Sequence, residues 1–235
     1  MAIYKGNKKV VAVYKGSTPI NKIYKGVTLV FQKSGGGNTH LFEGTATGNF
    51  DLSINGNVNG YIIPITPDAD GKWFYDTDEK ITNLDSAFYL VNEVTSVDLS
   101  NLDLTGIETT AMFRGSSEIT SIKFNNTKIM KLTTIASMFN GCSSLTSLNL
   151  SSFDISDVTS PVSIFSGCSS LVSLDLSNFD MSKATSYNNI FKNCTSLSTI
   201  KCKQAFKDWC ITNQDTIKLP DALREGGTGT WEIIV

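Results

Sequence analysis

The sequence contains a single histidine and no long apolar run. His40 is the single histidine in 235 residues, so this chain cannot by itself form a site that needs two. No apolar run approaches the ~18 residues of a membrane-spanning helix. The segment after Met1 also lacks the apolar stretch of a secretory signal. With 40% hydrophobic and 18% charged residues, the chain is expected to fold rather than to be disordered. We expect it to bind no cofactor and no membrane.

Acidic residues are missing from the first part of the chain. Residues 1–33 hold seven of the 20 basic residues, all lysines, whereas all 22 acidic residues lie beyond them. These lysines alternate with apolar residues, so they either keep strand edges soluble or form a tail that meets an acidic partner. Nucleic-acid binding is not expected, because no basic segment follows.

A short repeat occupies this lysine-rich leader. The phrase β-branched residue, Tyr, Lys, Gly recurs every ten residues at 3–6, 13–16 and 23–26. The pattern predicts strands joined by tight turns in a β-rich attachment module over 1–33, followed by a Gly-rich linker over 34–40. So small a module buries little apolar surface alone, so we expect it to pack against other subunits or a larger assembly. Its candidate docking residues are Tyr4, Lys5, Tyr14, Lys15, Tyr24 and Lys25.

A second, longer repeat governs the fold. Five phenylalanines recur at spacings of 25, 26, 26 and 26 residues, and an L-x-x-L-x-L triplet begins six residues after each of them. Leucine-rich repeats have this motif and a period of about 20–29 residues. The phenylalanines are Phe88, Phe113, Phe139, Phe165 and Phe191.

These two marks predict an α/β solenoid of the leucine-rich-repeat class over 81–204. Period-two alternation turns Leu148 and Leu150 inward and Ser147 and Asn149 outward. We expect each phenylalanine to arrive on a short helical turn. No unit can bury its leucines alone, so the units must stack and need caps at both ends.

The segments on either side of the repeats are predicted to be these caps. Residues 41–80 form a β-rich N-terminal cap, with turns at 55–57 and a strand over 72–75. Residues 205–235 form the C-terminal cap, with a short helix around 206–209 and a closing strand over 230–235.

The outward residues of the repeat strands form the candidate binding face of the solenoid. They are small, polar and mixed in charge, without the Trp, Tyr or Arg anchors of protein-binding hot spots. They could accept a glycan through hydrogen bonds, although an inert solvated sheet would have the same composition. The residues are Ser96, Asp98, Ser121, Lys123, Ser147, Asn149, Ser173, Asp175, Thr199 and Lys201.

Three of the five cysteines occupy one repeat position. Cys142, Cys168 and Cys194 should stack in a column, where parallel side chains favour buried free thiols over a disulfide. A zinc site is disfavoured because no C-x2-C pair is present. Cys202 and Cys210 are compatible either with a bridge or with free thiols in a compact cap.

Other candidate chemistry is weak. Asp154 and Asp180 recur one per unit, which favours turn-capping carboxylates over a calcium site with its 6–8 oxygens. No G-x-S-x-G elbow, phosphate-binding loop or dinucleotide fingerprint is present, so we expect no enzymatic activity. A glycan depolymerase remains the enzymatic alternative, since glycosidases need only two suitably spaced acids.

The repeat phrase resembles a known family. Residues 138–154, M-F-N-G-C-S-S-L-T-S-L-N-L-S-S-F-D, recur almost unchanged at 164–180. They are similar to the BspA-like leucine-rich-repeat family of bacterial surface proteins. The resemblance covers about 81–204 and weakens towards both ends, where Gly115-Ser116 lacks the cysteine. It implies a non-enzymatic adhesion or recognition solenoid displayed on a surface.

The leader points to a particular kind of surface. Its Tyr-Lys-Gly repeats are similar to N-terminal modules on structural proteins of bacteriophages that infect gut bacteria. This resemblance implies a virion fibre or decoration protein, docked through residues 1–33 to other virion proteins and contacting a host glycan or surface protein. It also implies a homo-oligomer, with a trimer favoured, because virion fibres are commonly trimers. The alternative is an adhesin on the bacterial cell surface.

Overall fold

The structure, a computed structural model, describes residues 3–5, 8–10, 42–54, 61–75, 81–124, 127 and 129–234. In the leader it places two short antiparallel strands, β1 (Ile3–Lys5) and β2 (Lys8–Val10). The linker and the turn predicted at 55–57 lie outside the described residues.

The N-terminal cap is made of β-strands. β3 (Phe42–Ala46) pairs antiparallel with β6 (Lys72–Tyr75), the strand predicted there, while β4 (Phe50–Ile54) and β5 (Tyr61–Ile65) form a hairpin. β3 also pairs antiparallel with the first repeat strand, β7 (Val94–Leu99). The cap therefore covers the edge that the first repeat would otherwise leave open.

The repeat strands stack as parallel rungs, which confirms the solenoid. β7 pairs with β8 (Ser121–Phe124), and further along the chain β10 (Ser147–Asn149) pairs with β12 (Ser173–Asp175). β12 then pairs with β13 (Thr199–Lys203). Two shorter strands, β9 (Met130–Lys131) and β11 (Phe153–Asp154), pair on another side of the coil.

The C-terminal cap closes the last rung. It contains α1 (Gln204–Thr212), α2 (Gln214–Ile217), a 3₁₀ helix (Asp221–Leu223) and β14 (Thr230–Ile234), which pairs parallel with β13. The helix and the strand predicted for this cap are therefore α1 and β14. No helix in the described part of the chain is long and apolar enough to cross a membrane.

The five phenylalanines line up as predicted. Successive ring centroids lie 5.1, 5.8, 5.9 and 5.7 Å apart, with interplanar angles between 4° and 13°. Every residue of the five apolar triplets is buried as well. This phenylalanine ladder and the leucine-type triplets form one continuous core along the solenoid.

The α/β description of the repeats is not what the structure shows. The phenylalanines lie on turns, at 85–90, 110–115, 136–141, 162–167 and 188–193, and in the described residues both α-helices belong to the C-terminal cap. Each turn has a left-handed residue two positions before its phenylalanine and another two positions after it. This geometry prevents a helix from continuing and makes the solenoid mostly β.

The left-handed residues allow neighbouring turns to hydrogen-bond. The backbone N–H groups of Ser137, Phe139 and Gly141 donate to the carbonyls of Val162, Ile164 and Ser166 in the next turn, at 2.9, 3.0 and 2.7 Å. Three equivalent backbone hydrogen bonds join each of the other pairs of neighbouring repeat turns. The turn side is therefore held by backbone bonds between units, as the strand side is.

Candidate functional site

The outward residues of the repeat strands, proposed from the sequence as a binding face, lie on the strands β7, β8, β10, β12 and β13. Strand pairing brings hydroxyl side chains into register in two runs, one from β3 through β7 to β8 and one from β10 through β12 and β13 to β14. Among the described strands β8 and β10 are not paired, so the two runs belong to separate sheets. All of these hydroxyl side chains are exposed or half-buried. We call this set the hydroxyl row; it comprises Thr45, Ser96, Ser121, Ser147, Ser173, Thr199 and Thr230.

A second row runs beside it and carries the charges. It comprises Glu43, Asp98, Lys123, Asn149, Asp175, Lys201 and Glu232, brought side by side by the strand registers and the repeat spacing. Two ion pairs form along this charged row, between Lys123 Nζ and Asp98 Oδ2 at 2.9 Å and between Lys201 Nζ and Asp175 Oδ2 at 3.1 Å. Pairing of opposite charges between neighbouring rungs reduces the field that the face presents to a partner.

The Asp98–Lys123 ion pair shifts the pKa of both groups. Partial burial acts to raise the pKa of Asp98, but hydrogen bonds from Ser100 and Lys123 outweigh it and hold that pKa below its usual value. The hydrogen bond to Asp98 raises the pKa of Lys123. Both groups therefore stay charged at neutral pH, and this ion pair persists on the polar face.

The cysteines of the repeats have a structural partner. Cys142, Cys168 and Cys194 donate their thiol hydrogens to the backbone carbonyls of the preceding units' phenylalanines, at 3.2, 3.0 and 2.9 Å. Ser116, which occupies the same position in the second unit, donates its hydroxyl to the carbonyl of Phe88. We call these four residues the donor column. All four side chains are buried.

The cysteine environment disfavours thiol chemistry. All five cysteines are free and buried, so the structure supports the free-thiol interpretation, including at Cys202 and Cys210. Burial raises the pKa of Cys142 and of Cys194 to about 12, and that of Cys202 to about 11. A thiol with so high a pKa contributes almost no thiolate, the form that attacks substrates and binds metals.

The recurring aspartates cap turns. The backbone N–H of Ser156 donates to Asp154 Oδ1 at 2.9 Å, and that of Ser182 donates to Asp180 Oδ1 at 2.8 Å. Each carboxylate thus closes an Asx turn, as predicted. Among the described residues no group of three His, Cys, Asp or Glu side chains could hold a metal ion.

A cleft that the sequence did not indicate lies in the C-terminal cap. It has a volume of about 580 Å³ and opens between α1 and the 222–229 segment. The half-buried Trp231 of β14 lines it, and the indole N–H of Trp231 donates to the carbonyl of Leu223 at 3.2 Å. Its walls come from segments separated in sequence, so no single motif could reveal it.

The proposed docking residues of the leader are only partly described. Tyr4 and Lys5 lie on β1, opposite Lys9 and Lys8 of β2. Tyr14, Lys15, Tyr24 and Lys25 lie outside the described residues.

Comparison with known proteins now identifies the family. Residues 82–209, more than half of the chain, match the family described as "Mycoplasma protein of unknown function, DUF285". The chain belongs to the DUF285 family. The match spans the repeat region from the first unit into α1. DUF285 membership is compatible with a surface protein. Neither the curated proteins nor the solved structures include a significant match.

Proposed function

We propose that this DUF285 protein is a non-enzymatic, surface-displayed recognition or adhesion protein of the leucine-rich-repeat type. The observation that carries the proposal is the hydroxyl row, whose two in-register runs start from the two caps. Paired strands in a sheet are ~4.8 Å apart, so each run presents donors and acceptors at regular intervals. A regular polar ligand such as a glycan can engage several rungs at once.

The non-enzymatic part of the proposal is supported by what the polar groups already do. The thiols of the donor column are bonded to carbonyls, and Asp154 and Asp180 cap turns. Asp98 and Asp175 are paired with lysines. Groups that are occupied in this way favour a rigid scaffold over a reaction centre.

For the place of display, we propose the virion surface of a bacteriophage, with residues 1–33 docking the protein to the particle. The support is the Tyr-Lys-Gly leader and its resemblance to phage structural modules. The bacterial cell surface is the second candidate, and the description of the family as a Mycoplasma protein favours it. Immunogold labelling of phage particles and of cell envelopes separates the two, since only one should carry the protein.

Binding to cells tests the recognition role. Fluorescently labelled protein should bind host bacteria, and the double variant Ser147→Tyr, Ser173→Tyr should bind less because its bulky rings cover the hydroxyl row. Lys192→Tyr, at an exposed position on a repeat turn, is the matched control and should bind as wild type does. No binding by the wild-type protein would contradict the proposal, and release of reducing sugar ends from host glycan would favour the depolymerase instead.

A further inference from the structure

The cleft in the C-terminal cap is open to solvent and brings an indole ring together with polar side chains. One wall is a single face of α1, carrying Gln204, Lys207 and Asp208 and, one turn further, Ile211 and Thr212. The opposite wall is the 222–229 segment, and Trp231 lies between them. At about 580 Å³ the cleft falls within the range of small-ligand sites.

The wall formed by the 222–229 segment is closely packed. A Cβ atom added at Gly227 would lie 2.3 Å from the carbonyl oxygen of Ala222, and one added at Gly229 would lie 2.7 Å from the same oxygen. The backbone N–H of Gly229 also donates to that oxygen at 2.6 Å. Gly227 and Gly229 are therefore held against the 3₁₀ helix, which fixes this wall of the cleft.

The charges around the cleft are balanced. Its lining includes two basic residues, Lys207 and Arg224, and two acidic residues, Asp208 and Glu225. Arg224 is already engaged, because its Nη1 lies 2.8 Å from Asp215 Oδ1 and its Nε donates to the carbonyl of Leu219 at 2.9 Å. Such a cleft has no excess positive charge for a phosphate and no carboxylate cluster for a cation.

The aromatic and polar groups of the cleft indicate which class of ligand it can bind. The indole of Trp231 offers an apolar face, and Ile211 adds apolar surface beside it. The rim carries an amide and a carboxylate that are bonded to each other, Gln204 Nε2 to Asp208 Oδ1 at 2.7 Å. A neutral ligand with one apolar face and many hydroxyls matches this set, and saccharides have that composition.

We propose that the terminal cleft, lined by α1, residues 222–229 and Trp231, binds a saccharide whose C–H face stacks on the Trp231 indole. The ammonium of Lys207 lies 6.0 Å from the ring centre. An exposed cation–π contact of this kind is weak, so the lysine can move to the rim and donate to a ligand hydroxyl. This proposal rests on the recognition function above and adds a second site for the same ligand class.

A glycan array followed by calorimetry tests the proposal. The full chain is applied to a printed array of microbial capsule, cell-wall and host-type glycans, and the strongest binder is titrated into each variant. Trp231→Ala should weaken binding about tenfold or more, since it removes the stacking surface. Trp231→Phe, which keeps a ring, should retain most of the affinity.

Two further variants guard against a folding artefact. Thr212→Arg places a long side chain at the exposed rim on α1 and should block the cleft without altering the core. Trp209→Phe is the matched control, because Trp209 packs against Tyr187 and Phe206 rather than in the cleft. Circular dichroism melting of every variant confirms that the chain is folded.

The outcomes separate this proposal from the recognition function. If no glycan binds, or if Trp231→Ala and Thr212→Arg bind as wild type does, the cleft proposal is wrong. Cell binding that survives that result leaves the recognition function standing. If an oligosaccharide binds through Trp231 but the protein does not bind cells, the cleft proposal holds and the proposed cellular role fails.

Discussion

The thiol of Cys168 donates a hydrogen bond to the backbone carbonyl of Phe139 in the preceding unit, with Sγ and O 3.0 Å apart. The same carbonyl accepts the backbone N–H of Cys142 at 3.1 Å within its own turn. One oxygen thus holds its own turn closed and ties the next unit to it. The donor column therefore requires a small buried side chain that can donate.

Substitutions at Cys168 test this requirement. Cys168→Ala removes the donor and leaves a small void, so it should lower the free energy of unfolding by about 1–3 kcal/mol. Cys168→Ser keeps a donor, as Ser116 does naturally, and should cost clearly less. Urea unfolding followed by circular dichroism measures both, and equal losses would show that the hydrogen bond contributes nothing.

Thiol labelling should report the burial of the cysteines. At pH 8 the folded protein should react very slowly with a thiol reagent such as DTNB, because all five thiols are buried and the pKa of Cys142 and of Cys194 is raised to about 12. In denaturant all five should react without a reducing agent. Fewer than five would reveal a disulfide and contradict the free-thiol assignment.

The same pKa shifts predict a loss of stability in alkali. Burial raises the thiol pKa of Cys142 and Cys194 in the folded state from the ordinary 9.0 to about 12. In the unfolded chain these thiols ionise from about pH 9. Their contribution is therefore complete below pH 9 and is lost as the pH rises towards 12.

Unfolding by urea between pH 8 and pH 11 measures this loss. A variant with Cys142→Ser and Cys194→Ser lacks both thiols and should show a smaller decline over the same range. Identical declines in the variant and the wild-type protein would assign the effect to other groups.

The sequence predicted the repeats well because their signal is periodic. The 25- and 26-residue spacing of the phenylalanines predicted that their rings stack, and the alternation around Leu148 predicted that its side chain is buried. The form of the turns was missed. Ser137 and Ser163 adopt φ of 55° and 54°, a conformation that serine does not signal and that the bonds between units impose.

Some features of the candidate sites could be predicted from the sequence, and others could not. The outward face follows from strand alternation, so it could be predicted residue by residue. The ion pairs along it, and the thiol bonds to carbonyls, depend on which side chains meet across 25 to 29 residues. The terminal cleft depends on how α1 meets the 222–229 segment, which only the tertiary structure shows.

The stacked glycines of the turns should be sensitive to substitution. Gly141 has φ of +79°, and a Cβ atom there would lie 3.3 Å from Gly115 Cα in the neighbouring turn. Gly141→Ala should therefore lose about 1–2 kcal/mol for the left-handed backbone and more for the crowded contact. Thermal or urea unfolding gives the value.

Gly106 offers a matched control for this prediction. Its φ is +70°, but an added Cβ would meet nothing within 4 Å, so Gly106→Ala reports the backbone cost alone. A loss at Gly141 no larger than at Gly106 would mean that the contact between turns is not tight.

Deletion of one complete unit tests the stacking of interchangeable units most directly. Removing residues 143–168 joins Cys142 to Ser169 and restores the phrase G-C-S-S-L, so the remaining rungs can stack again. Removing half a period, residues 143–155, serves as the control because it puts the phenylalanine and strand positions out of register. Thermal melting by circular dichroism should show a cooperative β-rich fold for the full-period deletion and an unfolded or molten chain for the control. A full-period deletion that is as disrupted as the control would contradict the solenoid account.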